Sequence, residues 1–176
     1  ESQVICPESW LNVAARLGMD FPPPRFGEDD HIATEGDLGR IYSRECARIE
    51  LLSGPYSNTL EIPIPAPVLE QYRKYRPTPL VRARGLEAAL DYTGRIFFKR
   101  EDLNPTGSHK PNTAFPQAYY AKQQGLRGLI TDTGAGQWGA AMALACHSMG
   151  LECTVFMTRN SYDQKPYRRY LMQMAG

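Results

Sequence analysis

From Thr78 onward, short apolar segments typical of β-strands alternate with segments that have the periodicity of α-helices. The predicted strands are residues 80–82, 95–99, 129–131 and 152–157, and the predicted helices are residues 86–90, 113–124, 137–149 and 164–174. Regular strand–helix alternation is typical of proteins in which parallel strands form one sheet. The sequence therefore predicts an α/β fold with an open, mostly parallel twisted sheet and helices on both faces.

The first 77 residues lack this alternation. Helical periodicity occurs at residues 8–18, 38–52 and 67–74, and proline-rich and acidic segments separate these stretches. We therefore expect two parts. Residues 1–77 are predicted to be an N-terminal extension of helices and Pro-rich loops, and residues 78–176 to be the front part of an incomplete two-domain α/β fold.

The composition excludes several functional classes. The chain is 42% hydrophobic and 22% charged, with a net charge of +1. Such a small charge gives no reason to expect nucleic acid or an anionic membrane as a partner, and no apolar run is long enough to span a bilayer. The four cysteines form no Cys-x-x-Cys pair, which favours free thiols in a reducing cytoplasm. The three histidines are too scattered for a metal site.

A lysine suited to covalent catalysis lies in residues 100–112. The apolar residues 96–98 lead into a loop that contains Pro105 and Gly107, and a predicted helix begins just after Lys110. A lysine on a stiff loop between a buried strand and a helix start can act as an amine nucleophile, because partial desolvation frees its lone pair. The alternative is a solvated lysine at a helix N-terminus.

A glycine-rich segment, residues 132–139, follows another predicted strand and opens a helix. Gly134, Gly136 and Gly139 allow tight turning and close approach of a ligand to the backbone. The N–H groups at a helix start attract anions, so a carboxylate or phosphate is the expected ligand. The segment lacks the context of a dinucleotide fingerprint and the Gly-Lys-Ser/Thr ending of a nucleotide-hydrolase phosphate loop. A plain structural turn between strand and helix is the alternative.

Together these motifs resemble one enzyme family. The matching segments are Thr78-Pro79-Leu80, residues 99–104, residues 107–112 and residues 133–139. In this order they resemble the tryptophan synthase β chain. Ser108, Pro111, Trp138 and residues 161–169 favour the stand-alone second type within that family. Residues 78–176 are then the N-terminal part of its pyridoxal-phosphate-binding fold.

The resemblance implies a role for each motif residue. Lys110 matches the lysine that carries pyridoxal 5'-phosphate covalently and acts as a base, His109 matches a residue that helps to hold the cofactor phosphate, and Asn112 matches one that binds the ring oxygen. A helix N-cap is the other interpretation of Asn112. The segment that matches the loop for the substrate carboxylate comprises Thr133, Gly134, Ala135, Gly136 and Gln137.

Asp132 departs from the family, which has glutamate at this position as the acid–base residue. The aspartate carboxylate is retracted by about 1.5 Å, one C–C bond. The resemblance predicts β-replacement on L-serine, with indole as the nucleophile. Because of Asp132, β-elimination from serine or threonine and replacement with another nucleophile remain alternatives, as does an inactive fragment that binds a partner.

The resemblance also implies what accompanies this chain. In the family, the loop that binds the cofactor phosphate and the residue that meets the pyridine nitrogen lie in the later half. We therefore expect a complementary C-terminal half of the same fold, a homodimer when the fold is complete, and a lyase that is inactive as this chain alone. Lys165, Arg168 and Arg169 form a basic helical face, which is predicted to be solvated, with subunit packing or lid closure as alternatives.

Overall fold

The computed structural model describes residues 6–18, 22–52 and 59–176. Before residue 78, the described chain forms short elements, and its strands pair with one another. In chain order they are β1 (Ser9–Leu11), α1 (Val13–Leu17), β2 (Arg25–Phe26), β3 (His31–Ile32), α2 (Glu35–Leu38), α3 (Arg44–Leu52), β4 (Glu61–Pro63) and α4 (Ala66–Tyr72). β1 pairs antiparallel with β4, and β2 pairs antiparallel with β3.

Two helices predicted in this part are wrong in extent. The stretch 8–18 begins as a strand, because Ser9 pairs with Pro63 far along the chain, and only Val13–Leu17 is helical. The predicted helix 38–52 is α3 alone, since α2 ends at Leu38. Thr34 and Asp37 form a capping box that starts α2 as a separate helix. The helix predicted at 67–74 is confirmed as α4.

From residue 78 onward, strands and helices alternate as predicted. The elements are β5 (Leu80–Arg82), α5 (Arg84–Ala89), β6 (Phe97–Lys99), a 3-10 helix (Glu101–Leu103), α6 (Pro111–Gln123), β7 (Gly128–Thr133), α7 (Gln137–Met149), β8 (Glu152–Met157), α8 (Arg159–Gln164) and α9 (Pro166–Met174). β7 and β8 are parallel, in a register that pairs Gly128 with Glu152. The α/β class is thereby confirmed.

Two details differ from the prediction. β5 and β6 run antiparallel to each other rather than parallel. The helix predicted at 164–174 starts only at Pro166, as α9, because Lys165 leaves the helical conformation with φ −124° and ψ 61°. Gln164 is the last residue of a separate helix, α8. Proline at the first position of a helix is favoured, since it lacks only an N–H that would have no partner there.

The core lies between α4, α6 and α7. Alanines face each other across the two long helices, and Ala114, Ala118, Ala141 and Ala145 are fully buried. Such small side chains let helices approach closely, and close-packed interiors resist displacement. The N-termini of α6 and α7, where both sequence motifs end, are therefore held by one rigid core.

The parallel pair β7–β8 is covered on one face. Trp138 Nε1 of α7 donates a hydrogen bond to Thr131 Oγ1 at 2.8 Å, so this side of the pair packs against α7. On the opposite face, Ile130 is 76% exposed and Phe156 is 65% exposed in the part of the chain that the structure describes. Among the described residues, no helix is both long and apolar enough to cross a membrane.

Candidate active site

Lys110 lies where the loop after β6 enters α6. Its backbone N–H donates to Ser108 Oγ at 3.3 Å, and Gly107 supplies a left-handed turn with φ 68°. The lysine is half-buried, and Nζ makes no hydrogen bond or ion pair with any residue that the structure describes. The chain thus presents a primary amine that is held by its backbone and free at its tip.

Glu101 organises this loop. Its carboxylate accepts hydrogen bonds from Thr78 Oγ1 at 2.6 Å, Asn104 Nδ2 at 2.7 Å and Asn112 Nδ2 at 3.0 Å. Asn104 Nδ2 also donates to the Ser108 carbonyl at 2.9 Å, two residues before Lys110. Partial burial raises the pKa of the Glu101 carboxyl, but the three hydrogen bonds outweigh burial and leave that pKa below its ordinary value.

Asn112 is the second residue of α6, so its interpretation as an N-cap is wrong. Its carboxamide is held at both ends, because Oδ1 accepts from the Tyr75 hydroxyl at 3.1 Å while Nδ2 donates to Glu101. His109 is exposed on the loop. The Asn112 side chain is therefore held in place by the protein, whereas the exposed His109 side chain is accessible to a ligand.

Strand β7 extends two residues further than predicted. Asp132 and Thr133 are its last residues, and the turn proper begins at Gly134. Thr133 is buried, and its Oγ1 accepts the Gly139 N–H at 3.2 Å. Thr133 thus supports the first turn of α7 from within, whereas Asp132 is exposed and pairs in register with Phe156.

The turn ends at Gly136, the N-cap of α7, with φ 94°. Gly136 has no side chain to cap this helix, and Thr133 takes only the Gly139 N–H. Within the described residues the N–H groups of Gln137 and Trp138 have no partner, so they keep their capacity to bind an anion. Ala135 is exposed, Gln137 is half-buried, and a side chain at Gly134 would meet no atom within 4 Å. The predicted carboxylate loop is therefore an open helix start whose first two N–H groups have no partner among the described residues.

Arg168 brings the two motifs together. Its guanidinium donates from Nη1 to the Thr106 carbonyl at 2.7 Å, in the lysine loop. Its side-chain stem lies against Gly136, where a Cβ would come within 2.7 Å of the Arg168 Cβ. The prediction that Arg168 belongs to a solvated face is therefore wrong. Arg169 is also engaged, since its guanidinium carbon lies 4.6 Å from the Tyr162 ring centre.

The sequence predicts no role for Glu101, and it predicts a solvated position for Arg168, whose side chain instead contacts two loops. Both act through contacts with residues distant in the chain, 23 positions away for Glu101 and Thr78 and 62 positions away for Arg168 and Thr106. The position of Glu101 between the strand end and the lysine is the one sequence signal that could have pointed to its role. Periodicity carries no information on such contacts.

The comparison with protein families settles the class. A model of the pyridoxal-phosphate dependent enzymes matches residues 72–176, which is more than half of the chain. The chain belongs to this family. The cofactor that the resemblance implied, pyridoxal 5'-phosphate, is thereby confirmed.

Curated relatives carry names that agree with the resemblance. The chain is 45% identical to tryptophan synthase beta chain 2 of Thermotoga maritima over 170 residues, 97% of this chain and 39% of that protein. It is 46% identical to tryptophan synthase beta chain 2 of Methanothermobacter thermautotrophicus over 171 residues, 97% of this chain and 38% of that protein. For tryptophan synthase beta chain of Pyrococcus horikoshii the identity is 46%, with 36% of that protein covered. The chain spans less than two fifths of the length of these relatives.

The residues present fit the cofactor. The aldehyde of pyridoxal phosphate needs a primary amine for covalent attachment. Lys110 offers one that has no competing partner among the described residues. In the same loop, the buried oxygens Asn104 Oδ1 and Thr106 Oγ1 have no hydrogen-bond partner within the described chain. Unsatisfied buried polar atoms are rare in proteins, and a bound group that completes their hydrogen bonding is one explanation for them.

Proposed function

We propose that this chain supplies the front part of an active site for β-replacement on L-serine, with indole as the nucleophile and L-tryptophan as the product. The observation that carries the proposal is that Arg168 joins the loop of a free lysine amine to an open helix start, where the Gln137 and Trp138 N–H groups have no partner among the described residues. One site of this kind can hold an amine-linked cofactor and the carboxylate of an amino acid side by side. The tryptophan synthase names of the relatives support the choice of substrates.

In this proposal Lys110 has two tasks. Nζ would hold the cofactor, and with an amino acid bound the same amine would take the proton from the serine α-carbon. Pyridoxal phosphate supplies an electron sink for the charge that this proton loss leaves on the α-carbon. The Glu101 network serves the reaction indirectly, because it fixes the loop from which Lys110 extends.

The substrate carboxylate is assigned to the turn at the start of α7. Backbone N–H groups from Gly134, Ala135, Gly136 and Gln137 offer donors that the described side chains leave uncapped. Thr133 supports this turn through its bond to Gly139 rather than by contacting the substrate. His109, exposed on the lysine loop, is proposed to help hold the cofactor phosphate, and Asn112 to meet the ring oxygen with its remaining N–H.

Asp132 is proposed to be the acid–base residue that assists loss of the serine hydroxyl, which leaves as water with the proton that Lys110 takes from the α-carbon. It stands at the end of β7, directly before the turn, with its carboxylate exposed. Since aspartate is one methylene shorter than the glutamate of the family, its reach to an incoming nucleophile is reduced. This observation favours one second candidate, β-elimination that converts serine to pyruvate.

Further residues complete the enzyme in this proposal. A complementary C-terminal half would provide the phosphate-binding loop and cover the apolar face on which Ile130 and Phe156 are exposed. Exposed apolar patches of this kind are typical of surfaces that pack against another part of a protein. The complete enzyme is expected to be a cytoplasmic homodimer.

The test uses the whole protein, loaded with pyridoxal phosphate and supplied with serine and indole. We expect tryptophan as the main product, and no tryptophan from Lys110→Ala. Lys74→Ala is the matched control, since this exposed lysine of the α4 region bonds only to Gln71 among the described residues. Pyruvate as the main product would favour the elimination candidate, and full activity of Lys110→Ala would refute the proposal.

A further inference from the structure

Arg168 lies on α9, an element that belongs to neither sequence motif. α9 packs over the first turn of α7, because Gly139 has no side chain there. A Cβ at Gly139 would come within 2.7 Å of Val155 Cγ1 and within 3.1 Å of Met172 Cε. α9 therefore packs against the start of α7, next to the carboxylate turn. This packing holds the backbone from which the Arg168 side chain extends.

The two ends of the Arg168 side chain contact different motifs. The stem passes over Gly136, where a Cβ would be 2.7 Å from Arg168 Cβ and 3.0 Å from Arg168 Cγ. The guanidinium reaches the lysine loop, where Nη1 bonds to the Thr106 carbonyl and Nη2 lies 3.9 Å from the position of a Cβ on Gly107. Both glycines have positive φ, 94° and 68°, so each backbone turns tightly at the point of contact.

The guanidinium has no acidic partner among the described residues. Its hydrogen bond is therefore directed to the loop backbone alone, and a charged donor to a carbonyl makes one of the stronger hydrogen bonds in proteins. Because the donor and the stem belong to one side chain, movement of either loop must strain that contact.

We propose that Arg168 is a positioning residue that fixes the Lys110 loop relative to the carboxylate turn. The role in the reaction rests on the proposed function, because it requires that these two segments hold the cofactor and the substrate. A displacement of about 1 Å between reacting groups can lower a rate by on the order of a hundredfold. Because the Arg168 side chain contacts both segments, it sets the distance between the Lys110 loop and the carboxylate turn.

The test compares three variants of the whole protein with the wild type. Amide hydrogen exchange is measured on the cofactor-free protein, and steady-state kinetics are measured on the protein loaded with cofactor. Arg168→Met keeps the stem but loses the donor, and Arg168→Lys restores one donor. Arg169→Met is the control, because Arg169 is a neighbouring cation on the same helix that stacks on Tyr162 and Tyr170 instead.

We expect the amides of residues 103–110 and 134–139 to exchange about tenfold faster in Arg168→Met than in the wild type, because the variant loses one charged hydrogen bond. Its kcat should fall by about tenfold or more, with a smaller rise in the serine KM. Arg168→Lys should recover most of both effects, and Arg169→Met should match the wild type. Unchanged exchange in either segment of Arg168→Met, or equal effects of Arg169→Met, would overturn the positioning role.

The two proposals fail in different ways. If Arg168→Met still makes tryptophan at the wild-type rate with unchanged exchange, the positioning role falls and the proposed function stands. If exchange rises as expected but Lys110→Ala retains activity, the contact between the loops is real and the proposed function falls.

Discussion

At the scale of single residues, Gly134 and Gly136 of the turn differ in what a side chain would meet. Gly134 faces open space, whereas Gly136 has φ 94° and touches Arg168. A substitution at Gly136 would therefore disturb α9 as well as the ligand. Gly134 is the cleaner position for testing carboxylate binding.

We expect Gly134→Ala to fold normally and to raise the serine KM by about tenfold, the effect typical of one misplaced methyl group in a binding site. Gly136→Ala should instead lower the free energy of unfolding by about 1–3 kcal/mol, because alanine is strained at positive φ. Denaturant unfolding and serine titration of both variants measure these effects. Equal loss of stability in the two would contradict the geometry described for the turn.

In the proposed reaction, we expect Asp132 to control the balance between replacement and elimination. The longer carboxylate of Asp132→Glu should reach the incoming nucleophile and raise the ratio of tryptophan to pyruvate by roughly tenfold to a hundredfold. The measurement is both products from the whole protein with serine and indole. A ratio that does not rise would mean that side-chain reach is not what Asp132 controls.

At the scale of elements, the hairpin β2–β3 is joined to α2 by one histidine. His31 Nδ1 lies 2.8 Å from Asp29 Oδ1, and Nε2 lies 3.0 Å from Asp37 Oδ2. Hydrogen bonds to Asp29 and then to Asp37 raise the pKa of His31 above its ordinary 6.5. Hydrogen bonds from Thr34, with a further one from His31, hold the pKa of Asp37 far below its ordinary 3.8.

These shifts predict how the stability of this region depends on pH. The contribution of His31 is complete below pH 6.5 and is lost as the pH rises through the raised pKa. The contribution of Asp37 is complete above pH 3.8 and is lost as the pH falls towards its lowered pKa. The protection factors of amides in residues 25–38, that is, their exchange rates relative to the intrinsic rates at each pH, should therefore be highest between these values. His31→Gln should abolish the loss on the alkaline side, and its persistence there would show that another group is responsible.

The sequence predicts some elements fully and others poorly, for physical reasons. α7 and β8 are predicted to the residue, because Gly136 precedes α7, Gly150 separates α7 from β8, and apolar residues fill most of both elements. The periodicity of residues 8–18 predicts a helix where β1 lies, since only the pairing with β4 makes that segment a strand. In the site, local signals locate Lys110 and the turn, whereas the contacts of Glu101 and Arg168 depend on tertiary packing.

At the scale of the whole molecule, the chain holds one side of the proposed site and an exposed apolar sheet face. In the proposed function a complementary half supplies the phosphate-binding loop, and without it the cofactor phosphate would lose most of its charge-assisted hydrogen bonds. We therefore expect the isolated 176-residue chain to make no tryptophan from serine and indole. Product formation by a chain whose mass has been verified would show that the complementary half is dispensable.

The proposed function depends above all on Lys110 carrying the cofactor. A direct test is borohydride reduction of the whole protein after incubation with pyridoxal phosphate, followed by proteolysis and mass mapping of the labelled peptide. We expect one phosphopyridoxyl group, on Lys110, and its absence from Lys110→Ala. A label on another lysine, or a loaded protein with no label on Lys110, would contradict this role.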